Sequence, residues 1–360
     1  LPSRVANRSM PEVRLIDMRG RIEGEQVLSS ELREALVKRR ERNEQSILFL
    51  NRRGFATSMA CRNCGHVIAC PHCSVALVYH QSRGGMLCHH CEHREPPPQL
   101  CPSCQENFVR QQGFGTERVV EAVEQLMPGV VIARLDRDAT RAKGEHDRLL
   151  APFKKGDVDV LVGTQMIAKG LDFPGVTLVG VINADYALSL PDFRAGERTF
   201  CLLTQVAGRS GRGDISGEVL VQTCCPDHYA ISLALGQDYE SFFARELRFR
   251  RVASFPPFSR LVLWRLEATT ESLARGTAWE LYRLLGTIIR GVNKRDVALF
   301  PPVEAPLYRL RDHYRWQVSM RAADHRAFRP ILDMEEVQKI VSKRRKGLRV
   351  VQDVDPIDML

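Results

Sequence analysis

The stretch VDVLVGTQMIAKGLDFPGVTLVGVI, residues 158–182, consists of two apolar runs on either side of a loop of small, polar and charged residues. Each run is short, rich in β-branched residues and apolar at nearly every position. Such runs are typical of strands buried on both faces, as in a parallel sheet covered by helices. The stretch therefore predicts two buried strands and a loop that leaves the sheet at the carboxyl end of the first.

The same alternation of strands and helices extends to both sides of this stretch. Ser29 or Ser30 is a suitable cap for a helix that follows it, and so is Thr116. Alternating β and α elements indicate an α/β domain, a mainly parallel sheet with helices on both faces. The predicted strands are 13–18, 46–50, 130–136, 158–164, 176–182 and 217–223, and the predicted helices are 29–41, 116–127, 145–154 and 194–207.

Eight of the eleven cysteines lie between positions 61 and 104, in four Cys-x-x-Cys doublets. One doublet presents two thiolates to a tetrahedral metal ion, so four doublets predict two closed zinc sites. A disulfide framework is the weaker alternative because doubled spacing in a chain otherwise patterned like a cytosolic protein favours metal. A redox role for a Cys-x-x-Cys pair is weaker still, because the doublets have no thioredoxin-like βαβ context. The remaining Cys201, Cys224 and Cys225 lie in apolar stretches and are predicted to pack in the core.

The spacing between the doublets indicates which of them share a zinc ion. Only residues 65–69 separate the first two doublets, a span too short for the chain to reverse and face itself. Residues 74–87 contain two alternating apolar segments around a Ser-Arg-Gly-Gly turn, a hairpin pattern that makes a zinc ribbon of the inner doublets. The predicted sites are therefore nested, with Cys70, Cys73, Cys88 and Cys91 inside and Cys61, Cys64, Cys101 and Cys104 outside.

Five histidines near the doublets are rival ligands, but eight thiolates already complete two sites. We therefore predict that they are surface residues: His66, His72, His89, His90 and His93. Because this segment has few apolar residues of its own, zinc is expected to supply its folding free energy. Chelation of the metal is then expected to unfold the insert and to spare its neighbours.

The chain has 52 basic and 43 acidic residues, a formal net charge of +9. An excess of positive charge attracts polyanions such as nucleic acid, although a solvated basic surface gives the same total. No uninterrupted apolar run approaches membrane-spanning length, so we predict no membrane span. The chain begins at Leu1 rather than at a methionine, and we expect it to be a fragment of a longer protein.

Two loops of the predicted sheet domain have residues suited to binding phosphate groups. GTQMIAKGLDFPG, residues 163–175, directly follows a predicted strand, and QVAGRSGR, residues 205–212, ends a predicted helix. Small residues allow the backbone to approach a phosphate, and arginines donate planar, permanently charged hydrogen bonds to its oxygens. Functional residues of open α/β sheets gather at the carboxyl ends of strands, so these loops form the candidate site.

In these motifs the sequence resembles the second motor lobe of superfamily 2 helicases, and more closely the primosomal replication-restart helicases. The resemblance covers essentially the whole chain. It rests on the eight-cysteine spacing and on NRRG at 51–54, GFGTERV at 113–119, ARLDRDAT at 133–140, GTQMIAKGLDFP at 163–174, QVAGRSGR at 205–212 and FPPF at 255–258. It implies a RecA-like helicase lobe that contains a two-zinc ribbon insert and binds ATP against a second such lobe.

The resemblance also implies roles for individual residues. Gln205, Arg209 and Arg212 would face the nucleotide, and one of the two arginines would act as the arginine finger that neutralises charge on the γ-phosphoryl group. The other implied nucleotide contacts are Gly208, Asp172 and Gly170, and the implied contacts to DNA are Thr164, Gln165, Lys169, Arg52 and Arg53. For Thr164, Gln165, Lys169 and Asp172, loop capping is an alternative role.

A motor of this class needs a GxxxxGK[ST] phosphate loop and an Asp-Glu pair that organises Mg²⁺. The 360 residues contain neither a Gly-Lys nor an Asp-Glu dipeptide. We therefore expect the first motor lobe to be missing from this sequence. The expected cofactors are two zinc ions, with ATP and Mg²⁺ bound only in the presence of that lobe, and the chain alone should not hydrolyse ATP.

From about Asp238 the composition changes to a basic, aromatic segment, residues 239–258, which we predict to be a connector broken by Pro256–Pro257. Beyond it the predicted order βαββαβ is typical of a small two-layer α+β domain, with strands at 261–268, 297–302, 314–320 and 348–354 and helices at 271–289 and 324–341. Basic residues at its edge fit phosphate contact and solvated turns equally well: Arg309, Arg311, Arg315, Arg321, Lys343, Arg344, Arg345 and Lys346.

The predicted domains are a linker at 1–24, the helicase lobe at 25–60 and 105–237, the zinc insert at 61–104 and a C-terminal domain at 238–360.

Two hypotheses for function follow. The first, implied by the resemblance, is half of an ATP-driven 3′–5′ DNA helicase that acts at stalled replication forks. Its partners would be forked and single-stranded DNA, the single-stranded DNA-binding protein and primosome proteins that lead to loading of the replicative helicase. It would act as a monomer in the bacterial cytoplasm, at the nucleoid. The second is a non-catalytic zinc-dependent module that binds DNA and scaffolds the primosome, which the intact QVAGRSGR motif at 205–212 disfavours.

Overall fold

The computed structural model describes most of the chain. The described residues are 11–21, 27–50, 59–61, 63–73, 75–80, 84–106, 109–110, 115–135, 145–164, 167, 173, 175–208, 217–291, 296–342 and 346–359. Among the helices formed by these described residues, none has the length and apolar character needed to cross a membrane.

Strands and helices alternate in the first part of the chain, as the sequence predicts. The strands are β1 (Glu12–Asp17), β2 (Gln45–Leu50), β3 (Met59–Ala60), β4 (Val78–His80), β5 (Gly85–Leu87), β6 (Arg94–Glu95), β7 (Val109–Arg110), β8 (Ile132–Leu135), β9 (Val160–Gly163), β10 (Val176–Ile182) and β11 (Glu218–Thr223). The helices are α1 (Ser30–Glu41), α2 (Thr116–Leu126), α3 (Glu145–Lys155), α4 (Ala195–Ala207) and α5 (Tyr229–Leu235).

Six strands form one sheet in the order β1-β11-β10-β2-β9-β8, and every neighbouring pair is parallel. The predicted parallel α/β sheet is therefore confirmed. Residues from α1 and α2 cover one face, and residues from α3, α4 and α5 cover the other. We call this part of the molecule the sheet domain.

Two details at the start of this domain differ from the predictions. The predicted linker, residues 1–24, includes β1, which pairs with β11 along Glu12–Asp17 and so belongs to the sheet. Thr116 is the first residue of α2 rather than its cap, a position taken by the backbone of Gly115. The cap of α1 is Ser29, whose hydroxyl accepts a hydrogen bond from the Leu32 amide.

The cysteine insert, residues 61–104, leaves the sheet domain after β2. Strands β3 and β7 pair at its base, and the strands β4, β5 and β6 form a small antiparallel sheet. The pairing of His80 with Gly85 confirms the predicted hairpin.

The predicted connector is mostly a helix. Tyr239–Val252 forms α6, which begins where the carboxylate of Asp238 accepts a hydrogen bond from the Ser241 amide. Buried Glu246 then stabilises the helix in two ways, because it accepts a hydrogen bond from the Tyr229 hydroxyl at 2.6 Å and pairs with Arg250 one turn later at 2.7 Å. Tyr229 lies outside the segment 239–258, so the composition of that segment did not predict this contact.

The C-terminal domain has the predicted βαββαβ order with one change. Its elements are β12 (Arg260–Ala268), α7 (Glu271–Gly291), β13 (Val297–Leu310), β14 (His313–Ala322), α8 (His325–Leu332), α9 (Glu335–Ser342) and β15 (Leu348–Val354), and its sheet order is β13-β14-β12-β15. The single helix predicted for 324–341 is broken into α8 and α9. The side-chain amide of Gln338 donates to the Leu332 carbonyl at 2.7 Å, which satisfies an acceptor that the break exposes.

Two further predictions about side chains are corrected here. Cys201 is exposed on α4 rather than packed in the core. Arg315 and Arg321 are not free edge cations, because Arg315 pairs with Glu267 at 3.0 Å and Arg321 donates to the Ala253 carbonyl at 2.9 Å. Arg309 and Arg311 do lie on the exposed β13–β14 hairpin.

Candidate metal centres and motor surface

Three of the four Cys-x-x-Cys turns share a backbone design. In these three the residue after the second cysteine is left-handed: Gly65 with φ +74°, Glu92 with φ +65° and Gln105 with φ +62°. The amide of each of these residues donates to the carbonyl of the first cysteine, at 2.8–3.1 Å. This turn directs both sulfurs of a doublet to one side, where a single ion can contact both.

The sulfur atoms gather into two groups of four. The groups are Cys61, Cys64, Cys101 and Cys104, here called site I, and Cys70, Cys73, Cys88 and Cys91, here called site II; the sulfurs of a group lie within 4.8 Å of one another. This grouping is the nested one that the chain-length argument predicts.

The distances between sulfurs fit a shared tetrahedral ion rather than disulfides. Cys61 and Cys104 are 3.5 Å apart, and the pairs Cys64–Cys101 and Cys70–Cys91 are 3.6 Å apart. Four sulfurs at a zinc–sulfur distance of about 2.3 Å would be about 3.8 Å from one another, whereas a disulfide bond is about 2.05 Å long. Both groups of four cysteines therefore fit zinc, and the described geometry shows no disulfide among them.

Burial makes Cys61 and Cys91 poor acids in the absence of metal. It raises the pKa of Cys61 to about 12 and is also the main cause of the rise at Cys91, again to about 12. Half-buried Cys104 differs, because hydrogen bonds, first of all from the Glu106 backbone, lower its pKa to about 6. A buried thiolate needs a compensating cation, which a bound zinc ion would supply.

Two of the five histidines near the doublets are not surface residues, contrary to the prediction. His89 is 2% exposed and His90 is 7% exposed, whereas His72 is exposed. His89 Nδ1 lies 2.5 Å from the Glu304 carbonyl oxygen, and His90 Nε2 lies 3.2 Å from the Pro191 carbonyl oxygen. Neither histidine belongs to the groups of sulfurs, so they are neither ligands nor solvated side chains. Burial lowers the pKa of His90 and favours its neutral form.

Site I contacts the sheet domain through the turn that follows β11. Asp185 is 2% exposed and organises this turn, because its carboxylate accepts hydrogen bonds from the Thr223 hydroxyl and from the amides of Cys224 and Cys225. The Cys225 thiol in turn donates to the Gly65 carbonyl at 3.1 Å. Desolvation raises the pKa of Asp185, while the hydrogen bonds it accepts favour its ionised form.

Glycine is required at position 65 for two reasons, its left-handed backbone and its contact with this turn. A Cβ atom there would lie 1.7 Å from the Cys224 carbonyl oxygen. We expect Gly65→Ala to lower the free energy of unfolding by roughly 2–5 kcal/mol, from overpacking and backbone strain together. Thermal or urea denaturation with zinc analysis would measure this.

Gly84→Ala is the matched control for that substitution. Gly84 is also left-handed, with φ +62°, but nothing lies within 4 Å of its Cβ position. Gly84→Ala should therefore lower the free energy of unfolding only by the backbone strain, about 1–2 kcal/mol. Equal losses for the two variants would contradict the assigned contact between site I and the sheet domain.

Only part of the motor motifs lies within the described residues. These are Thr164, Gln205 and Gly208, while Arg52, Arg53, Gln165, Lys169, Gly170, Asp172, Arg209 and Arg212 lie outside them. Thr164 directly follows β9, and its carbonyl accepts the Ile167 amide at 2.9 Å. Gln205 is exposed in the last turn of α4, and the Gly208 amide donates to the Thr204 carbonyl at 3.1 Å.

The topology directs the two motifs to different edges of the sheet. Thr164 lies at the carboxyl edge, where β9 ends. Because β10 and β11 are parallel, the chain must return to the amino edge between them, and α4 makes that return. Gln205 and Gly208, at the end of α4, therefore lie towards the edge where β11 begins. The carboxyl-edge rule used for the sequence thus applies to the first motif only.

Comparison with known proteins places family descriptions on all three parts of the chain. Residues 110–214 match the helicase conserved C-terminal domain, residues 70–96 the PriA DNA helicase Cys-rich region domain, and residues 251–357 the primosomal protein N C-terminal domain. Along its length the chain is also similar to curated replication restart proteins PriA. It is 43% identical over 88% of its residues to that of Bacillus subtilis, and 37% identical over 100% to that of Synechocystis.

The chain belongs to the PriA family. It covers 39% of the Bacillus subtilis relative, 43% of the Synechocystis relative and 53% of the Treponema pallidum relative, so it spans about half of their length or less. Among solved structures it is similar to S. cerevisiae Dbp5 bound to RNA and ADP BeF3, with 14% identity, coverage of 68% of this chain and 45% of that one, and a TM-score of 0.31. A similarity at that level carries no argument about function.

Membership of the PriA family accounts for the cysteines, but the sequence analysis missed three residues that organise the insert. Asp185, His89 and His90 were not singled out as structural contacts from the sequence. A signal was present for the histidines, since Cys88–Cys91 encloses two of them while the partner doublet Cys70–Cys73 encloses proline and one histidine. Nothing in the sequence distinguishes Asp185 from other loop carboxylates.

Proposed function

We propose that this chain supplies the second motor lobe, zinc insert and C-terminal domain of an ATP-dependent 3′–5′ DNA helicase. The complete protein binds branched DNA at stalled replication forks and starts primosome assembly for replication restart. The chain alone, without Walker A and Walker B motifs, does not hydrolyse ATP.

One observation supports this proposal: both groups of four cysteines and Thr164 lie at the same edge of the sheet. The Gly65 carbonyl contacts the turn after β11, His90 contacts the loop after β10, and Thr164 follows β9. A DNA strand held at Thr164 passes beside the insert. The metal-stiffened insert there can hold a fork, while the nucleotide is bound near the other edge.

Within this proposal each residue of the motifs has one task. Arg209, Arg212 and Gln205 act on the nucleotide, assisted by Gly208, Gly170 and Asp172. Thr164, Gln165, Lys169, Arg52 and Arg53 contact the phosphates of the tracked strand. The eight cysteines of sites I and II hold two zinc ions, which supply rigidity rather than chemistry. ATP and Mg²⁺ bind only when the first lobe completes the cleft.

The C-terminal domain takes part in binding branched DNA and the single-stranded DNA-binding protein. Arg309 and Arg311 on the exposed hairpin and Lys346 before β15 are exposed cations suited to phosphate contact, and Arg309 also pairs with exposed Asp312 at 2.8 Å. Further primosome proteins follow in assembly and lead to loading of the replicative helicase. The protein works as a monomer on DNA in the bacterial cytoplasm, at the nucleoid.

This proposal predicts that the insert serves unwinding more than ATP hydrolysis. In the complete protein, Cys70→Ser combined with Cys73→Ser should reduce unwinding of forked DNA and primosome assembly much more than DNA-stimulated ATPase, because the nucleotide site is remote from the insert. Unwinding, assembly and ATPase are measured on the same preparation. Cys201→Ser is the matched control, since that exposed cysteine lies outside both metal sites. Equal loss of all three activities would mean that the metal merely maintains the fold.

A further inference from the structure

The two histidines between Cys88 and Cys91 contact different domains. His89 Nδ1 contacts the Glu304 carbonyl of β13, in the C-terminal domain. The next residue, His90, contacts the Pro191 carbonyl of the loop between β10 and α4, in the sheet domain, through Nε2. One turn of the insert therefore bonds to both domains through adjacent side chains.

Each contact fixes the position of a ring proton. A carbonyl oxygen only accepts hydrogen bonds, so His89 must carry its proton on Nδ1 and His90 on Nε2. A second bond strengthens the first contact, because the Gln317 side-chain amide of β14 donates to the His89 carbonyl at 2.9 Å. All of these groups are buried, and a buried acceptor left unpaired costs about 1–3 kcal/mol.

Aromatic packing surrounds the same turn. Phe193 of the sheet domain and Phe255, just before the C-terminal domain, stack with ring centroids 4.7 Å apart and planes 9° apart. His90 meets the edge of the Phe255 ring at 5.5 Å, and the guanidinium group of Arg321 lies 5.6 Å from the same ring. We call His89, His90, Phe193, Phe255 and Arg321 the junction.

The apolar core at the junction is continuous across all three parts of the molecule. Leu77, Met86 and Cys88 of the insert pack in one buried cluster with Phe193 of the sheet domain and with Leu261 and Leu263 of β12. Site II thus lies inside a shared core rather than on a free projection.

Burial of these histidines is not a general property of such turns. The partner turn of site II, Cys70–Cys73, also contains a histidine, but His72 is exposed and touches the ring of His93 at 5.2 Å. The difference lies in what the turn faces, since the Cys88–Cys91 turn is enclosed by both domains.

We propose that site II fixes the C-terminal domain to the sheet domain, and that His89 and His90 are the positioning residues through which it does so. The metal fixes the Cys88–Cys91 turn, and the turn positions both imidazole rings. Each ring then donates a hydrogen bond to a backbone carbonyl of a different domain. The C-terminal domain then moves with the sheet domain as one body.

The test measures the distance between the two domains in the 360-residue chain. Donor and acceptor dyes are attached through unnatural amino acids at Lys155 on α3 and Glu336 on α9, both exposed. Single-molecule energy transfer should give one narrow peak for the parent chain. His89→Ala combined with His90→Ala should lose that peak and give a broad distribution, with two zinc ions per chain retained. His72→Ala should keep the narrow peak.

Conservative variants separate positioning from a general loss of packing. The amide nitrogen of asparagine can replace Nδ1, and that of glutamine can replace Nε2. The pair His89→Asn with His90→Gln should therefore restore the narrow peak, whereas the exchanged pair His89→Gln with His90→Asn should not.

Two outcomes would overturn the proposal. One is a narrow peak in the double alanine variant, which would show that other contacts, such as that of Arg198 with the Ile357 carbonyl, hold the domains without the histidines. The other is loss of zinc from both amide pairs alike, which would place the histidines within the metal site itself.

Discussion

Replacing Cys88 by serine is expected to remove one of the two zinc ions and to loosen the insert and its contact with the C-terminal domain. Cys88 is fully buried and belongs to the core cluster that the insert shares with both domains. Zinc binding in small zinc-finger peptides is worth about 10–16 kcal/mol, as much as the whole stability of a typical domain, about 5–15 kcal/mol. Serine lacks the thiolate that zinc needs, so most of this stabilisation should be lost. Zinc content and thermal unfolding followed by circular dichroism would measure both effects.

Cys101→Ser makes the same chemical change in site I and gives the contrast. Cys101 is just as buried, but it does not belong to the shared cluster. It should also remove one zinc ion, while the C-terminal domain keeps its protection from limited proteolysis. In Cys88→Ser, cleavage near the junction should become fast. Equal cleavage patterns in the two variants would contradict a special role for site II.

This contrast revises an expectation drawn from the sequence, that chelation would spare the neighbours of the insert. The insert has few apolar residues of its own, and that observation suggested an independent, metal-built segment. Leu77 and Met86 are nevertheless fully buried, against β12 and Phe193 rather than against one another alone. A count of apolar residues within a segment gives no information about surface buried against other segments.

Features with local causes could be predicted. The strands β9 and β10 are apolar at nearly every position because both of their faces are covered, and this pattern is visible in the sequence. The nested grouping of the cysteines followed from chain length between the doublets, since a chain of five residues cannot reverse and face itself.

Features with distant causes could not be predicted. Helix α6 depends on Tyr229 and Glu197, which pair with Glu246 and Arg250 from other helices. His89 and His90 are buried only because two domains meet at their turn. In each case the deciding partner lies outside the periodic segment from which the prediction was made.

The largest expected effect on activity is that of Arg212→Ala in the complete protein. If Arg212 is the arginine finger, its guanidinium group neutralises charge that develops on the γ-phosphoryl group as the bond to the leaving group breaks. Loss of such a residue lowers the rate of hydrolysis by about 10³–10⁵-fold in other nucleotide hydrolases. DNA-stimulated ATPase at saturating ATP and DNA should fall by a comparable factor, while binding of forked DNA stays intact. Arg209→Ala tests the second candidate in the same assay.

Two controls make this prediction specific to the guanidinium group at position 212. Arg212→Lys keeps the positive charge but loses the planar pair of donors, so it should recover only a small part of the rate. Arg245→Ala removes an exposed arginine from α6 and should leave the rate unchanged. The 360-residue chain should show no turnover with or without Arg212, because its sequence contains neither a Gly-Lys dipeptide for a phosphate loop nor an Asp-Glu pair for Mg²⁺. If the complete Arg212→Ala and Arg209→Ala proteins both hydrolyse ATP at the parent rate, QVAGRSGR does not face the nucleotide. The helicase proposal would then give way to the zinc-dependent binding module.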